Sequence, residues 1–145
     1  MSLKEPNLKM SKSHEDPRSR ILLNDSPAVI WDKVRLALTD SIAGVSYDPI
    51  KRPGVSNLLT LMKYLDTGSP SIEKLAEVNS TLGMREFKET VAVSISKGLA
   101  DVRMQYNRLI NDDSKMLRDI ATEGAEIARS KANKTIRRVK DVTGL

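Results

Sequence analysis

Residues 87–109 read FKETVAVSISKGLADVRMQYNRL, and their apolar side chains recur every three or four residues. Side chains with this spacing lie on one face of an α-helix, so the stretch predicts one long amphipathic helix that ends near Asn111. The residues on that face are Phe87, Val91, Ile95, Leu99, Val102, Tyr106 and Leu109. The stretch therefore predicts a helical fold whose core lies along this face.

Shorter helices are predicted before this one. Ser26 can cap a helix and Pro27 suits its first residue, which predicts a helix from there to about Ser41. Apolar stripes predict two short helices between residues 58 and 83, the second of which ends at Gly83.

A last helix is predicted after residue 111, with Asp112 or Asp113 as its N-cap. Its spacing predicts an inward face made of Leu117, Ile120, Gly124, Ile127 and Ala128. Residues 1–25 contain prolines, many charges and no helical period, so they predict a mobile loop. The chain is thus predicted to be all-α, with this loop followed by a bundle of about five helices over residues 26–145.

The composition agrees with helix packing and excludes several kinds of site. Of the 145 residues, 39% are hydrophobic but only 3% are aromatic, so the core has to be built from aliphatic side chains. The absence of cysteine excludes disulfides and thiolate metal sites, and a lone histidine, His14, excludes a site that needs two imidazoles from this chain. No apolar run approaches the roughly 20 residues of a membrane helix, so no membrane contact is predicted.

The charge distribution suits a polyanionic partner. The formal net charge is +5, although many proteins with such a charge bind no polyanion. The cations concentrate at the end of the last helix, which we call the basic segment. They are Arg129, Lys131, Lys134, Arg137, Arg138 and Lys140. Taken by itself, such a cluster is more often a solvated face than a nucleic-acid contact.

A short motif near the N-terminus has the chemistry of a phosphate-binding loop. Residues 9–13 read KMSKS, so two lysines lie three residues apart among two serines. A lysine ammonium is a compact charge on a flexible stem and a serine adds neutral donors, which suits oxygens that move during a reaction. For an isolated pair of lysines the alternative is a solvated basic turn, so the surrounding sequence has to decide.

KMSKS is the second signature of the class I aminoacyl-tRNA synthetases, and the chain resembles the tryptophanyl-tRNA synthetases over nearly its whole length. The similar segments agree with that family in order and spacing. They are MSLKEPNL (1–8), KMSKS (9–13), ILLNDSPAVIWDKV (21–34), ALTDS (37–41), YDPIKRPGVSNLL (47–59), GAEIAR (124–129) and TIRRVKDVTGL (135–145).

The resemblance implies ATP-dependent activation of tryptophan and its transfer to the tRNA for tryptophan. It implies that Lys9, Met10, Ser11, Lys12 and Ser13 bind ATP, with Lys12 as the main catalytic contact to pyrophosphate and Lys9 as the second cation. Mg²⁺ is expected to accompany ATP on its phosphates, so no protein metal ligand is named. The helical domain corresponds to the part that binds tRNA and recognises its anticodon, with the basic segment on the tRNA backbone.

The chain also departs from a complete synthetase of this family. The family's first signature needs two histidines around a short glycine-containing turn, whereas His14 stands alone. The ATP-binding sheet and the tryptophan pocket belong before Lys9. We therefore expect a C-terminal fragment of a Rossmann-type enzyme that is inactive alone, with residues 1–25 as the loop and a remnant of the catalytic domain. A homodimer is expected for the complete enzyme.

The sequence leaves the origin of the protein and its class of function open. The compact KRPG loop (51–54) resembles bacterial and organellar members. The basic composition and the insertion-like HEDPR stretch (14–18) favour a mitochondrial matrix enzyme, with a bacterial cytoplasm as the alternative. A different class of function also stays open, namely a stand-alone helical module that binds RNA or a protein partner and retains the motif.

Two residues of the 47–59 segment have roles that the sequence leaves open. Tyr47 precedes Asp-Pro in a loop and either packs on the helical domain or stacks on an RNA base. Asn57 is expected to cap or brace the start of a helix. Trp31 lies on the apolar face of the first helix and is expected in the core rather than on RNA.

Overall fold

The computed structural model describes residues 1–65, 68, 70–111 and 115–144. Its α-helices are α1 (Pro27–Arg35), α2 (Pro53–Leu65), α3 (Ile72–Val78), α4 (Met84–Gly98), α5 (Ala100–Asn111) and α6 (Lys115–Thr143). In the described residues a 3₁₀ turn at Pro17–Ser19 precedes α1, and no strand is found. The predicted all-α class is therefore confirmed, with six described helices in place of about five. The predicted caps Asp112 and Asp113 lie outside the described residues.

The chain consists of two compact units, residues 1–105 and residues 106–145. The first unit contains a core in which α1 and α2 pack on α4, and α3 packs on α2. The most deeply buried apolar side chains come from the N-terminal segment, α1, α2 and α4. They are Leu3, Ile30, Val34, Val55, Leu58, Leu59, Phe87, Val91 and Ile95. A core of aliphatic side chains around one phenylalanine agrees with the low aromatic content.

The N-terminal segment packs on this core and determines where α1 ends. Leu3 is 1% exposed, and its N–H donates to the carbonyl of Ser19 at 2.8 Å. The carbonyl of Leu3 accepts from the N–H of Leu38 at 2.7 Å. Because Leu38 bonds to the N-terminal segment, it cannot extend the helix, and α1 ends at Arg35 rather than near Ser41 as predicted.

The long helix predicted over residues 87–109 is in fact two helices, α4 and α5, separated at Leu99. The carbonyl oxygen of Leu65, at the end of α2, approaches Gly98 so closely that a Cβ atom there would overlap with it. Leu99 then forms the C-cap of α4 and is buried in the core. The packing of α2 on α4 thus interrupts the helix. Gly83 is the N-cap of α4, and not the end of the preceding helix as predicted.

The second unit contains the end of α5 and α6, and its described side chains are all exposed. The inward face predicted for the last helix is therefore wrong for this chain. Leu117, Ile120 and Ile127 are 40%, 56% and 52% exposed, and Gly124 and Ala128 are exposed as well.

Candidate functional site

The KMSKS motif lies in a loop whose two ends are fastened to the core of the first unit. At one end the N–H of Ser2 donates to the carbonyl of Leu8 at 2.8 Å. At the other end Ser19 is buried and bonds to Leu3, which is itself a core residue. The motif thus has a fixed base, although residues 4–18 contain only one short 3₁₀ turn.

Within the motif, Met10 and the serines shape the backbone. Met10 packs partly against the core, and its Sδ accepts from the N–H of Ile21 at 3.5 Å. Ser11 Oγ accepts from the N–H of Ser13 at 3.3 Å, and the Ser11 carbonyl accepts from the N–H of His14 at 3.4 Å. These local bonds form a turn that leaves Ser13 exposed.

The two lysines of the motif, Lys9 and Lys12, point to solvent. Both are exposed, and within residues 1–65, 68, 70–111 and 115–144 neither ammonium has a carboxylate within 4.0 Å or a hydrogen-bond partner. Their positive charges are thus not neutralised by the described part of the protein. Two such charges on a fixed loop can attract a polyphosphate, and the serine hydroxyls can add donors.

Asp16, which follows the motif, has a partner of its own. Asp16 Oδ1 accepts from Arg18 Nε at 2.9 Å, and Oδ2 accepts from the Arg18 Nη2 at 3.0 Å. The side-chain hydrogen bond from Arg18 lowers the pKa of Asp16 to about 2. His14 lies 3.5 Å from Glu5 through Nε2, and its Nδ1 accepts from the N–H of Asp16 at 3.1 Å. Asp16 is thus engaged by Arg18 and does not pair with Lys9 or Lys12.

The basic segment lies on α6, and all six of its cations are exposed. Arg129, Lys134 and Arg137 line one shallow groove along the helix, and the other lining residues are Glu126, Ser130 and Asn133. No acidic residue occurs between residues 129 and 140. This pattern is suited to phosphate contacts, because exposed cations that share one strip of surface can follow a nucleic-acid backbone. Arg138 borders a second groove, beside Val139 and Val142.

A buried arginine that the sequence interpretation missed organises the 40–52 loop. Arg52 is 4% exposed and donates to both carboxylate oxygens of Asp40, from Nη2 at 2.8 Å and from Nε at 3.0 Å. It also donates to Ser46 Oγ and to the carbonyl of Ile42, each at 3.0 Å. The pKa of Asp40 lies below its ordinary value, first of all because of the hydrogen bond from Arg52.

A second buried ion pair fastens the end of the N-terminal segment. Asp25 Oδ2 accepts from Lys33 Nζ at 2.5 Å and from the N–H of Leu22 at 2.8 Å, and Arg103 donates to the Asp25 carbonyl at 3.2 Å. Neither ion pair has a local signature, because each partner is an ordinary charged residue until the fold brings the two together.

Two other features are absent from the described residues. No helix there is long and apolar enough to cross a bilayer. Nor do those residues contain a group of three or more His, Cys, Asp or Glu side chains that could hold a metal ion. The two lysines and Ser13 of the loop, like the cations of the basic segment, are exposed groups that fit a phosphate ligand.

Comparison with known proteins connects this loop to a family. Residues 1–100 match the family described as tRNA synthetases class I (W and Y). The chain is 36% identical over 145 residues to the mitochondrial tryptophan–tRNA ligase of Schizosaccharomyces pombe. The alignment covers 100% of this chain and 39% of that ligase. It is 38% identical over 145 residues to the tryptophan–tRNA ligase of Enterococcus faecalis, with 42% of that protein covered.

A solved structure supports the same assignment. The crystal structure of tryptophanyl-tRNA synthetase from Mycoplasma pneumoniae superimposes with a TM-score of 0.69 and 26% identity, over 100% of this chain and 43% of that one. The chain thus spans about two fifths of the length of these relatives. Since the family match covers 100 of the 145 residues, the chain belongs to the class I tRNA synthetases of the W and Y family.

Proposed function

We propose that this chain is the part of a tryptophan–tRNA ligase that contains the KMSKS loop and the tRNA-binding helical domain. The complete enzyme activates tryptophan with ATP and transfers it to the tRNA for tryptophan. The observation that carries the proposal is the pair of exposed, unpaired ammonium groups of Lys9 and Lys12 on a loop fixed to the core, in a chain of the class I synthetase family.

In this proposal the loop contacts the phosphates of ATP. Lys12 is the main contact to the pyrophosphate that leaves, and Lys9 is the second cation. Ser11 and Ser13 supply hydroxyl donors, and Met10 fastens the loop to the core. Mg²⁺ accompanies ATP on its phosphates. A charge that is stabilised more strongly in the transition state than in bound ATP accelerates the reaction itself.

The proposed roles of the two domains divide at the boundary that the sequence predicts. Residues 1–25 serve the catalytic domain, and residues 26–145 bind tRNA. The basic segment of α6 contacts the tRNA backbone through Arg129, Lys131, Lys134, Arg137, Arg138 and Lys140, all of which are exposed. Phosphate contacts of this kind supply most of the affinity for nucleic acid and little of the sequence preference.

Adenylate formation needs residues outside this chain. The chain has one histidine, and it spans about two fifths of the length of its relatives. We therefore propose that the 145 residues are inactive alone. From the family resemblance we also propose that the complete enzyme is a homodimer. The relatives include mitochondrial and bacterial ligases, and we propose the mitochondrial matrix as the location, with a bacterial cytoplasm as the alternative.

Exchange of pyrophosphate into ATP tests the ligase proposal. A longer protein that joins this chain to an upstream two-histidine segment is expected to catalyse exchange that depends on tryptophan and not on tyrosine. The 145-residue chain is expected to give none, because it cannot supply the remainder of the ATP site. Exchange driven by tyrosine, or no exchange in the longer protein, would contradict the proposal.

Binding of the 145-residue chain to the tRNA for tryptophan at several salt concentrations tests the helical domain. We expect the triple variant Arg129→Gln, Lys134→Gln and Arg137→Gln to reduce the steepness of the slope of log K against log salt by about 2–3. Each lost phosphate contact removes about 0.7–0.9 from that slope. The matched control is the variant Lys74→Gln, Arg85→Gln and Lys97→Gln, which removes the same charge from exposed positions of α3 and α4. Equal slopes for the two variants would show that the basic segment has no specific role.

The alternative function, a stand-alone RNA-binding or protein-binding module, gives a different pair of results. Such a module binds tRNA or a protein partner through its helices, but the longer protein shows no tryptophan-dependent exchange. The exposed apolar residues of α6 are the feature that keeps this alternative open.

A further inference from the structure

The two lysines of the KMSKS motif lie in segments that are fastened separately. Before Lys9, the carbonyl of Leu8 accepts from the N–H of Ser2 at 2.8 Å. After it, the Sδ of Met10 accepts from the N–H of Ile21 at 3.5 Å, and Met10 packs partly against the core. Lys9 therefore lies between two contacts that join its neighbours to other parts of the first unit.

Lys12 lies in a turn that ends at His14. Ser11 Oγ accepts from the N–H of Ser13 at 3.3 Å, and the Ser11 carbonyl accepts from the N–H of His14 at 3.4 Å. These two bonds join residues of the turn only to one another. The position of Lys12 therefore depends on how the end of the turn is fastened.

An arginine outside the motif, Arg20, fastens that end. Its Nη1 donates to the carbonyl of His14 at 2.9 Å. The side chain of His14 has weaker contacts, since Nδ1 accepts from the N–H of Asp16 at 3.1 Å and Nε2 lies 3.5 Å from Glu5. The bond from Arg20 is thus the shortest of those described at His14, and a charged donor makes it stronger than a neutral one.

Arg20 is itself held in place by its neighbours. The preceding residue, Ser19, is 1% exposed, and its carbonyl accepts from the N–H of Leu3 at 2.8 Å. The following residue, Ile21, packs partly against the hydrophobic core. Arg20 is half-buried, and no carboxylate of the described residues lies within 4.0 Å of its guanidinium. No ion pair in this part of the chain therefore draws the guanidinium away from the carbonyl of His14.

We propose that Arg20 is a positioning residue, which holds the carbonyl of His14 and so keeps the Lys12 ammonium in place for the leaving pyrophosphate. The inference rests on the proposed function, which makes Lys12 the main contact to pyrophosphate. It gives the two lysines separate supports, with Arg20 acting on Lys12 and not on Lys9. Because a displacement of about 1 Å can cost a large part of the rate, a single hydrogen bond at the end of the turn affects the reaction.

Steady-state pyrophosphate exchange in the longer ligase tests the effect on the reaction. Arg20→Met keeps a long side chain but has no donor, and it is expected to lower kcat by about 10- to 100-fold while KM for ATP changes little. Arg20→Lys retains a charged donor and is expected to recover part of the rate. Arg85→Met, at an exposed arginine of α4, is the matched control and is expected to be neutral. A rise in KM for ATP with kcat unchanged would show that Arg20 binds ATP itself, which overturns the proposal.

Two double-mutant cycles show which lysine Arg20 supports. Once Lys12→Ala is present, Arg20→Met is expected to change kcat by less than about 2-fold, because no ammonium is left to position. In the Lys9→Ala background, Arg20→Met is expected to keep its full effect. An equal effect in the two backgrounds, whether full or small, contradicts the proposal.

Proteolysis of the 145-residue chain tests the support without any catalysis. A lysine-specific protease cuts after the exposed Lys12 when the turn opens, and loss of one hydrogen bond in Arg20→Met is expected to raise that rate by about 5-fold. Cleavage after Lys9 is expected to change less, and Arg85→Met is expected to leave both rates unchanged. Equal rates of cleavage after Lys12 in Arg20→Met and Arg85→Met would overturn the proposal.

The failure of this proposal can be distinguished from the failure of the proposed function. If the longer protein shows no tryptophan-dependent exchange, the ligase function is rejected together with the role of Arg20 in the reaction, and the cleavage rates still show whether Arg20 holds the turn. If the longer protein is active and Arg20→Met is as active as Arg85→Met, the ligase function stands and the positioning role is rejected. Thermal melting of each variant establishes that a loss of rate does not come from unfolding.

Discussion

Replacing Lys12 by alanine in the longer ligase is expected to lower kcat for tryptophan activation by about 10²- to 10³-fold, the usual cost of removing one preorganised donor to developing charge. Lys12 is exposed and has no ion-pair partner in the described residues, so the substitution should leave the free energy of unfolding nearly unchanged. Its ammonium is therefore free to act on the ligand. Lys9→Ala is also expected to lower kcat, but by a smaller factor.

Steady-state kinetics of pyrophosphate exchange check this expectation. If Lys12 acts mainly on the leaving pyrophosphate, kcat falls while KM for ATP changes little. Lys12→Arg keeps the charge but changes its shape, and it should recover only part of the rate. Lys97→Ala, at an exposed lysine of α4, serves as the control and should be neutral. A rise in KM with kcat unchanged would show that Lys12 only binds ATP.

Replacing Asp40 by asparagine is expected to lower the free energy of unfolding by about 3 kcal/mol. The change leaves the Arg52 guanidinium, whose side chain is 5% exposed, without its counter-ion. Removing one partner of a buried pair typically costs about 3–5 kcal/mol, and the lower end applies because the Asp40 side chain retains 23% exposure. The 40–52 loop, which this pair organises, should lose order with it.

Urea unfolding measures this loss. Asp32→Asn is the matched control, because Asp32 pairs with Arg35 at 3.8 Å with both side chains well exposed, and such pairs contribute at most about 1 kcal/mol. Equal effects of Asp40→Asn and Asp32→Asn would contradict the importance of the buried pair.

The pH dependence gives an independent check on the Asp40–Arg52 pair. The hydrogen bond from Arg52 lowers the pKa of Asp40 in the folded state. A carboxylate with a lowered folded pKa stabilises the protein above its unfolded pKa of about 3.9, and that contribution is lost as the pH falls through the folded value. The difference in stability between the parent chain and Asp40→Asn should therefore be constant near neutral pH and narrow below about pH 4.

Local features of the sequence predicted the fold class and several helix starts. Apolar spacing of three and four residues predicts helices because it depends only on helix geometry. The cap at Ser26 is confirmed, with its Oγ accepting from the N–H of Val29 at 3.3 Å, because capping involves residues three apart. The KMSKS loop is likewise a contiguous string of residues, so the sequence alone contains the motif and the resemblance to a synthetase family that goes with it.

Contacts between distant residues settled what the sequence pattern left undecided. The spacing from residue 87 to residue 109 is unbroken, yet the carbonyl of Leu65 reaches Gly98 and two helices result. Arg52 looked like an ordinary cation until the fold placed it beside Asp40. Asn57 was expected to brace a helix start and instead fastens the N-terminal residues, with one acceptor left without a donor. Spacing and capping are determined by neighbours along the chain, whereas burial and long-range partners are determined by which surfaces the folded chain brings together.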